Sequence, residues 1–352
     1  MHHPADPTVH NTDVLIIGAG PAGLWAAFEL GLLSCDAHIV DALPHAGGQV
    51  TQLYGDKPIF DVPGVPLCTG EALTASLMRQ LAPLAVPMHW RQTIQSLTRD
   101  GQHWRVRSDT GNEWRCRALL IAAGVGAFAP RKLRGLDFSA LEGHSVHYHA
   151  PQAADALSTS LSTQHCVVYG GAEAALATAV RLSQLGAQTV TLVYRREVLQ
   201  AEADTLKQFG ELQAQGRIRV VTGMVGGFVA SGAQLHALNL NHPNASSSRL
   251  PADQLWVMEG LSAQLGAIGQ WGLAMTRKQL QVDPCTLRTS EAGIHAVGDV
   301  VHYPNKRRLI ISAMHEATQA AYAIADTLHP AGLGPQEYTS SSARLQKKLQ
   351  QP

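Results

Sequence analysis

The chain has 352 residues, which is enough for two domains of ordinary size. Its 27 basic and 27 acidic residues cancel, so no charge excess points to nucleic acid or a membrane surface as a partner. Only 15% of the residues are charged and 45% are apolar, which excludes a disordered chain and favours a compact α/β enzyme.

The cysteines and the apolar runs also limit the class of protein. Five cysteines are scattered along the chain and no C-x-x-C pair occurs, so neither a disulfide framework nor a redox dithiol is predicted. No apolar run approaches the roughly 18 residues of a membrane span. The polar N-terminus lacks a secretory pattern, so we expect a cytoplasmic protein.

The first predicted element is a strand, a glycine-rich turn and a helix. Residues 13–17 are apolar and β-branched, as in a buried parallel strand, and residues 22–33 are predicted to be helical. Between them stand Gly18, Gly20 and Gly23. These positions suit a tight turn, a close approach of the backbone to a pyrophosphate, and close packing of helix on strand. The sequence therefore predicts a dinucleotide site here, rather than a glycine turn without a ligand.

An acidic residue follows at the position that such a site requires. Residues 38–41 are predicted to form the second strand, and Asp41 lies 18 residues after Gly23. Its carboxylate can accept hydrogen bonds from the hydroxyls of an adenosine ribose.

The next segments complete the first nucleotide-binding unit. Residues 71–84 are predicted to be helical, and residues 104–107 and 113–116 flank a turn and predict a hairpin. Residues 118–122 then form another buried strand.

A second strand, turn and helix begin at residue 166. The turn keeps Gly170, places Ala175 where a third glycine or alanine is usual, and has Ala172 instead of the middle glycine. A methyl group at that position pushes on a pyrophosphate. The helix is predicted over 173–185 and the next strand over 189–194.

Two adjacent arginines follow that strand. Arg195 and Arg196 suit a ribose 2′-phosphate, which favours NADPH over NADH. The alternative is a pair of solvated surface arginines. Further along, residues 244–248 form a polar break interpreted as a loop, and residues 311–327 predict a long helix.

Several segments together resemble the thioredoxin-reductase-like ferredoxin–NADP(+) reductases, from about residue 13 to the end. These segments comprise Gly47-Gly48-Gln49, the run 53–61, Ile121-Ala122-Ala123-Gly124 with 128–133, Gly298-Asp299 with 303–306, and the tail 338–342. The resemblance implies an α/β fold with two Rossmann-like three-layer domains. A discontinuous FAD-binding domain would span 1–128 and 249–352, with an NAD(P)H-binding domain over 129–248.

The resemblance also implies roles for single residues. Tyr54 and Tyr338 would stack on the two faces of the flavin, and Asp299 would bond its ribityl chain or phosphates. The tail would come from a partner subunit, which implies a homodimer. The other residues placed at FAD by the resemblance are Gln49, Phe128, Ser340, Ser341 and, near the adenine, Ile94.

The second half departs from the family pattern. Ala172 stands in place of a glycine, Tyr194 in place of a histidine, and Gln200 in place of an arginine. The flavin half therefore matches the family better than the nicotinamide half does. The absence of C-x-x-C distinguishes the chain from thioredoxin reductases themselves.

The expected activity is electron transfer between NADPH and a ferredoxin or flavodoxin through FAD. The protein then supplies binding and orientation while the flavin does the chemistry. The alternatives are a diverged flavoprotein with another donor or acceptor, such as a small-thiol oxidase, and a non-enzymatic flavin-binding partner protein.

Two further groups of residues are weaker candidates. His144, His147 and His149 are close in sequence, as in a metal site, but no acidic or cysteine ligand is near, and a strand edge is the preferred interpretation. Two basic clusters, 131–134 and 306–308, form either a rim for an acidic ferredoxin or two solvated loops.

Overall fold

A computed structural model describes residues 9–151, 161–196, 198–335 and 337–350. The chain forms two compact units, one made of Met1–Ala127 with Ala263–Pro352 and the other of Phe128–Ser262. The chain thus leaves the first unit once and returns to it.

From residue 9 onward, the described part of the first unit begins with eight strands and three helices. The strands are β1 (Val9–Ile17), β2 (Ala37–Val40), β3 (Pro58–Ile59), β4 (Cys68–Thr69), β5 (Met88–His89), β6 (Ile94–Asp100), β7 (His103–Ser108) and β8 (Glu113–Ile121). The helices are α1 (Pro21–Leu32), α2 (Gln49–Tyr54) and α3 (Gly70–Leu81).

Its main sheet has the strand order β5-β2-β1-β8-β7-β6. The strands β5, β2, β1 and β8 run parallel, while β7 and β6 extend the sheet as an antiparallel hairpin. The predicted strand 118–122 is the second half of β8, because this strand continues from the hairpin into the parallel sheet. Parallel pairing brings the carboxyl ends of β1 and β2 to one edge of the sheet, where ligands bind in such folds.

Helix α1 follows β1 directly and lies in the core. Pro21 occupies its first turn, where the missing N–H costs no hydrogen bond. Alanines and leucines make most of its surface apolar, and eight of its twelve residues are buried. The indole of Trp25 donates to the hydroxyl of Thr318 at 2.8 Å, which ties α1 to a helix from the end of the chain.

The second unit is built on a smaller parallel sheet, and it repeats the order of strand, turn, helix and strand found in the first unit. It includes β9 (Ala127–Pro130), β10 (Val146–His147), β11 (His165–Tyr169), β12 (Thr189–Tyr194), β13 (Ile218–Thr222), β14 (Met224–Ser231), β15 (Gln234–Asn241), β16 (Ser247–Pro251), β17 (Gln254–Val257), and the helices α4 (Glu173–Gln184) and α5 (Ala203–Ala214). The parallel order is β10-β17-β11-β12-β13, and β14, β15 and β16 form a three-stranded antiparallel sheet.

The chain leaves this unit later than the composition break at 244–248 suggests. Ser247 and Ser248 already belong to β16, which pairs with β15. β17 then pairs in parallel with β11, in the middle of the unit's main sheet. The change of unit therefore comes after Ser262, because residues 247–257 supply two strands of the second unit.

The last segments are β18 (Leu261–Gln264), β19 (Met275–Thr276), β20 (Gln279–Gln281), β21 (Ile294–Ala296), β22 (Val301–His302), α6 (Ile310–Leu328) and α7 (Ala343–Leu349). β21 adds to the main sheet of the first unit beside β8, and α6 packs on α1. Within the described ranges, no helix combines the length and the apolar character needed to cross a bilayer. The predicted α/β class with two nucleotide-binding-type sheets is confirmed.

Candidate nucleotide-binding sites

The first glycine of the first turn is required by the protein itself. Gly18 has φ of +108°, and a Cβ there would lie 2.4 Å from the carbonyl oxygen of Ala122. Its N–H donates to the carbonyl of Val40 at 2.8 Å. The chain must therefore turn sharply here between two adjacent strands, and only glycine permits this.

The other two glycines of the turn differ in what surrounds them. A Cβ on Gly23 would lie 1.9 Å from the carbonyl oxygen of Gly18, so this glycine allows α1 to pack closely on β1. Gly20 is the N-cap of α1 with φ of −73°, and its Cβ would meet nothing nearer than the Gly47 carbonyl oxygen at 3.9 Å. The protein leaves open space beside Gly20, at the N-terminus of a helix, where a phosphate is favoured.

Asp41 follows β2 and reaches back to this turn. One carboxylate oxygen accepts the N–H of Ala19 at 2.6 Å, and the other accepts the N–H of Leu43 at 2.8 Å. Burial raises the pKa of Asp41, while these two hydrogen bonds oppose the rise. Each oxygen keeps a further lone pair, so the carboxylate holds the turn and can still accept from a ribose.

Gln49 and Asp299 come together from distant parts of the sequence. Gln49 begins α2, and its side-chain amide lies 3.5 Å from a carboxylate oxygen of Asp299. Asp299 lies in a short 3₁₀ turn, and its main-chain carbonyl accepts the side-chain amide of Gln279 at 2.9 Å.

A buried ionic network supports that 3₁₀ turn, and the sequence does not predict it. Glu316 on α6 is 1% exposed. It accepts the N–H of Gly298 at 2.8 Å, the hydroxyl of Tyr303 at 2.6 Å, and the ammonium of Lys306. The pKa of Tyr303 is raised by burial first and then by this carboxylate. The side chain of Lys306 is therefore buried and does not belong to a basic surface for a ferredoxin. Because Lys306 lies in a loop and Glu316 in a helix, their spacing in the sequence does not predict the ion pair.

Three other residues predicted at FAD are placed as follows. Tyr54 is the last residue of α2 and Phe128 lies in β9, but their side chains are outside the described part of the structure. Ile94 begins β6 and its side chain is 5% exposed, packed in the core with Trp104. A contact of Ile94 with an adenine would therefore involve its main chain.

The C-terminal residues predicted at FAD are on the surface of this chain. Tyr338 is 59% exposed, and Ser340 and Ser341 are exposed in the turn after it. The carbonyl of Tyr338 accepts the N–H groups of Ser341 and Ser342, and the hydroxyl of Ser342 caps α7. The turn is thus well formed, with its tyrosine facing solvent.

The second turn has the geometry of the first at two of its three positions. Gly170 has φ of +146°, its N–H donates to Val193, and a Cβ would lie 2.5 Å from the carbonyl oxygen of Met258. Ala175 is fully buried on the inner face of α4, at the position of Gly23. The protein's own packing is therefore intact here.

Ala172 is the position where the two turns differ. It is the exposed N-cap of α4, with φ of −110°, an ordinary extended conformation. The methyl group causes no strain in the protein and projects from the surface at the N-terminus of α4. The next residue, Glu173, accepts the N–H of Glu202 and the hydroxyl of Thr205, both at 2.7 Å, which holds the following loop against the turn.

At the end of β12, the second unit has a tyrosine at the position of the acidic residue of the first unit. Val40 and Val193 each accept the N–H of the first glycine of a turn, so Tyr194 stands where Asp41 stands. The ring of Tyr194 covers Gly171, whose hypothetical Cβ would lie 2.2 Å from it. Arg195 and Arg196 are exposed, and neither forms an ion pair with a described carboxylate.

The histidines at 144, 147 and 149 do not form a cluster. His144 and His149 are exposed, whereas His147 stacks on Trp256 and lies 2.7 Å from Gln254. His147 lies in β10, a strand at the edge of the sheet, and His144 and His149 lie on either side of that strand.

The surroundings of the two turns fit different dinucleotides. Open space beside Gly20 and the carboxylate of Asp41 fit the pyrophosphate and ribose of FAD. The second turn has Tyr194 at the position of Asp41, followed by two exposed arginines, and this fits the 2′-phosphate of NADPH. The methyl group of Ala172 reduces the space for the pyrophosphate.

Comparison with known proteins agrees with this architecture. Residues 12–321 match the pyridine nucleotide-disulphide oxidoreductase family. The chain is 45% identical to the ferredoxin–NADP reductase of Acidovorax sp. (strain JS42), over 99% of this chain and 98% of that protein. It is 43% identical to the ferredoxin–NADP reductase of Verminephrobacter eiseniae (strain EF01-2), over 96% of each chain.

Solved structures share the fold at lower identity. The bacillithiol disulfide reductase of Staphylococcus aureus has a TM-score of 0.62 at 16% identity, over 90% of this chain and 99% of that chain. The thioredoxin reductase of Lactococcus lactis has a TM-score of 0.57 at 21% identity, with the same coverage. This chain therefore belongs to the pyridine nucleotide-disulphide oxidoreductase family, together with the ferredoxin–NADP reductases that it resembles along almost its whole length.

Proposed function

We propose that this protein transfers electrons between NADPH and a ferredoxin- or flavodoxin-type carrier by means of bound FAD. Membership of the family and the names of its relatives imply FAD, NADPH and a ferredoxin. The observation that carries the assignment is the contrast at equivalent positions of the two units. Asp41 is bonded to the first turn, whereas Tyr194 stands at the second turn and is followed by two exposed arginines.

FAD supplies the chemistry when bound, because a flavin accepts two electrons as a hydride and releases them singly. The residues of this chain bind and orient it. Gly18, Gly20 and the N-terminus of α1 would hold the pyrophosphate, and Asp41 would hold the adenosine ribose. Asp299, fixed from one side by Gln279, would hold the ribityl chain or the phosphates.

NADPH would occupy the second turn. Arg195 and Arg196 would bind the 2′-phosphate, since guanidinium groups form paired hydrogen bonds with phosphate oxygens. Glu173 already bonds to residues 202 and 205. These hydrogen bonds hold the Glu173 carboxylate against the loop. Glu173 nevertheless lies in the first turn of α4, near the expected phosphates of NADPH.

Exposed arginines on each unit support an acidic protein partner. Arg131 and Arg134 are exposed in one unit, and Arg307 and Arg308 in the other. Leu309 and Ile311 are 45% and 41% exposed beside the latter pair. Basic side chains around exposed apolar ones suit the docking of an acidic electron carrier.

The C-terminal turn supports a homodimer. Tyr338 is 59% exposed in a well-formed turn, so it is available to stack on the flavin of a second copy, with Ser340 and Ser341 beside it. Tyr54 would stack on the other face of that flavin, and Phe128 would pack near it. We place the protein in the cytoplasm, where a ferredoxin and NADPH meet.

Anaerobic titration of the purified yellow protein tests this function. NADPH is expected to bleach the flavin absorbance, and NADH to do so only at much higher concentration. Bleaching by dithionite but not by NADPH would remove the nicotinamide part and favour a diverged flavoprotein with another donor.

A pair of variants in the second unit sharpens the test. Arg195→Ala should weaken NADPH binding by about tenfold or more and leave NADH binding unchanged, because only NADPH carries the 2′-phosphate. Arg249→Ala removes another exposed arginine of the same unit, on β16, and serves as the control. Equal losses in the two variants would contradict a 2′-phosphate site at Arg195.

A further inference from the structure

Three histidines lie together on neighbouring strands of the first unit. His10 is on β1, His38 on β2 and His89 on β5, and these strands are adjacent in the sheet. One ring nitrogen of each lies within 4.8 Å of the others. The sequence gives no hint of the cluster, since 79 residues separate the first histidine from the last.

The distances within the cluster are close to those of a metal centre. Nε2 of His89 and Nδ1 of His38 are 3.2 Å apart. Two imidazole nitrogens on one tetrahedral zinc ion, each about 2.0–2.1 Å from the metal, are roughly 3.4 Å apart. The His10 ring centroid lies 4.6 Å from that of His89 and 5.9 Å from that of His38. The His10 ring thus lies beside both of the others, and its ligand nitrogen is within 4.8 Å of theirs.

A buried aromatic ring packs against two of the histidines. Trp114 stacks on His10 at 5.5 Å and meets His89 edge-on at 5.2 Å. The imidazole nitrogens are the groups in this cluster that can coordinate a metal.

Hydrogen bonding inside the protein does not account for the whole cluster. The contact between His38 and His89 uses one ring nitrogen from each. The ring of His10 forms no hydrogen bond with another residue of the described ranges, although it lies against both of the other rings. All three histidines are partly exposed, so an ion can reach them from solvent.

We propose that His10, His38 and His89 bind one divalent transition-metal ion of the zinc class, with water completing the coordination. Three imidazoles and no carboxylate favour zinc, copper or nickel over magnesium or calcium. The ion would join three strands next to the nucleotide edge of the sheet. Asp41 lies three residues after His38, and its N–H donates to the carbonyl of His89 at 2.9 Å.

The experiment is a zinc titration of the FAD-loaded protein against a chromophoric chelator. The sequence also contains His2 and His3, so all variants carry His2→Ala and His3→Ala. One zinc ion per chain is expected. His10→Asn and His89→Asn should each weaken binding by at least about tenfold. His144→Asn, an exposed histidine of the other unit, should bind as the parent does.

Zinc K-edge X-ray absorption on the parent protein gives a result that depends on no variant. Scattering from three imidazoles at about 2.0 Å supports the site. Fewer than three imidazoles, or affinities unchanged in His10→Asn and His89→Asn, would overturn it. If a variant does not fold, the absorption spectrum alone decides.

Discussion

Gly18 and Gly20 lie two residues apart in one turn, and the structure predicts opposite effects when each is changed to alanine. Gly18 has φ of +108°, and a Cβ there would lie 2.4 Å from a backbone oxygen. The strain costs on the order of 1–3 kcal/mol, and the overlap costs about as much again. We expect Gly18→Ala to lower the free energy of unfolding by about 3 kcal/mol or more.

Gly20→Ala should fold as well as the parent protein. Its φ of −73° suits alanine, and the nearest atom to the new methyl group is 3.9 Å away. Compared with glycine, alanine restricts the unfolded chain, which raises the free energy of unfolding by about 0.4–1 kcal/mol. Alanine is also a poorer N-cap residue than glycine, which lowers that free energy by about as much. The two effects nearly cancel. The methyl group, however, occupies the space next to the helix N-terminus, so FAD affinity should fall by about tenfold or more.

Urea unfolding of the FAD-free protein gives the stability, and quenching of FAD fluorescence gives the affinity. Gly101→Ala is the control for backbone strain, because Gly101 has φ of +61° and nothing within 4 Å. It should cost about 1 kcal/mol and leave FAD binding unchanged. Normal FAD affinity in Gly20→Ala would refute the pyrophosphate site, and normal stability in Gly18→Ala would refute the packing argument.

Three other predictions concern the second turn, the buried network and pH. Ala172→Gly should increase NADPH affinity, by on the order of tenfold, without loss of stability, since glycine is the better N-cap; unchanged binding constants would show that the methyl group is harmless. Lys306→Met should lower the free energy of unfolding by about 3 kcal/mol, because Glu316 is left buried and unpaired, and adding Glu316→Gln should recover part of the loss in the same urea assay. Burial lowers the pKa of His295 from 6.5 to about 4, so the unfolded state binds the extra proton first as the pH falls. About 3 kcal/mol of stability should therefore be present above pH 6.5 and be lost between pH 6.5 and 4, and a stability profile equally steep in His295→Asn would contradict this.

Local sequence patterns were sufficient to predict the two turns and the order of the strands and helices around them. Gly18, Gly170 and the apolar runs before them act over a few residues, and positive φ or close backbone packing leaves little choice of residue. The strand 189–194 is predicted to the residue for the same reason. Local rules also place Asp41 beside the first turn, since it directly follows the neighbouring strand.

Contacts between distant segments were decided only by the tertiary structure. The Glu316 network joins a loop and a helix, and the strands β16 and β17 return to the second unit after a polar break. Three histidines meet because β1, β2 and β5 are neighbours in the sheet, whereas the three that are close in sequence do not meet. Sequence spacing predicts proximity only within one element or one turn. Proximity between elements follows from sheet order, which in turn depends on how the whole core packs.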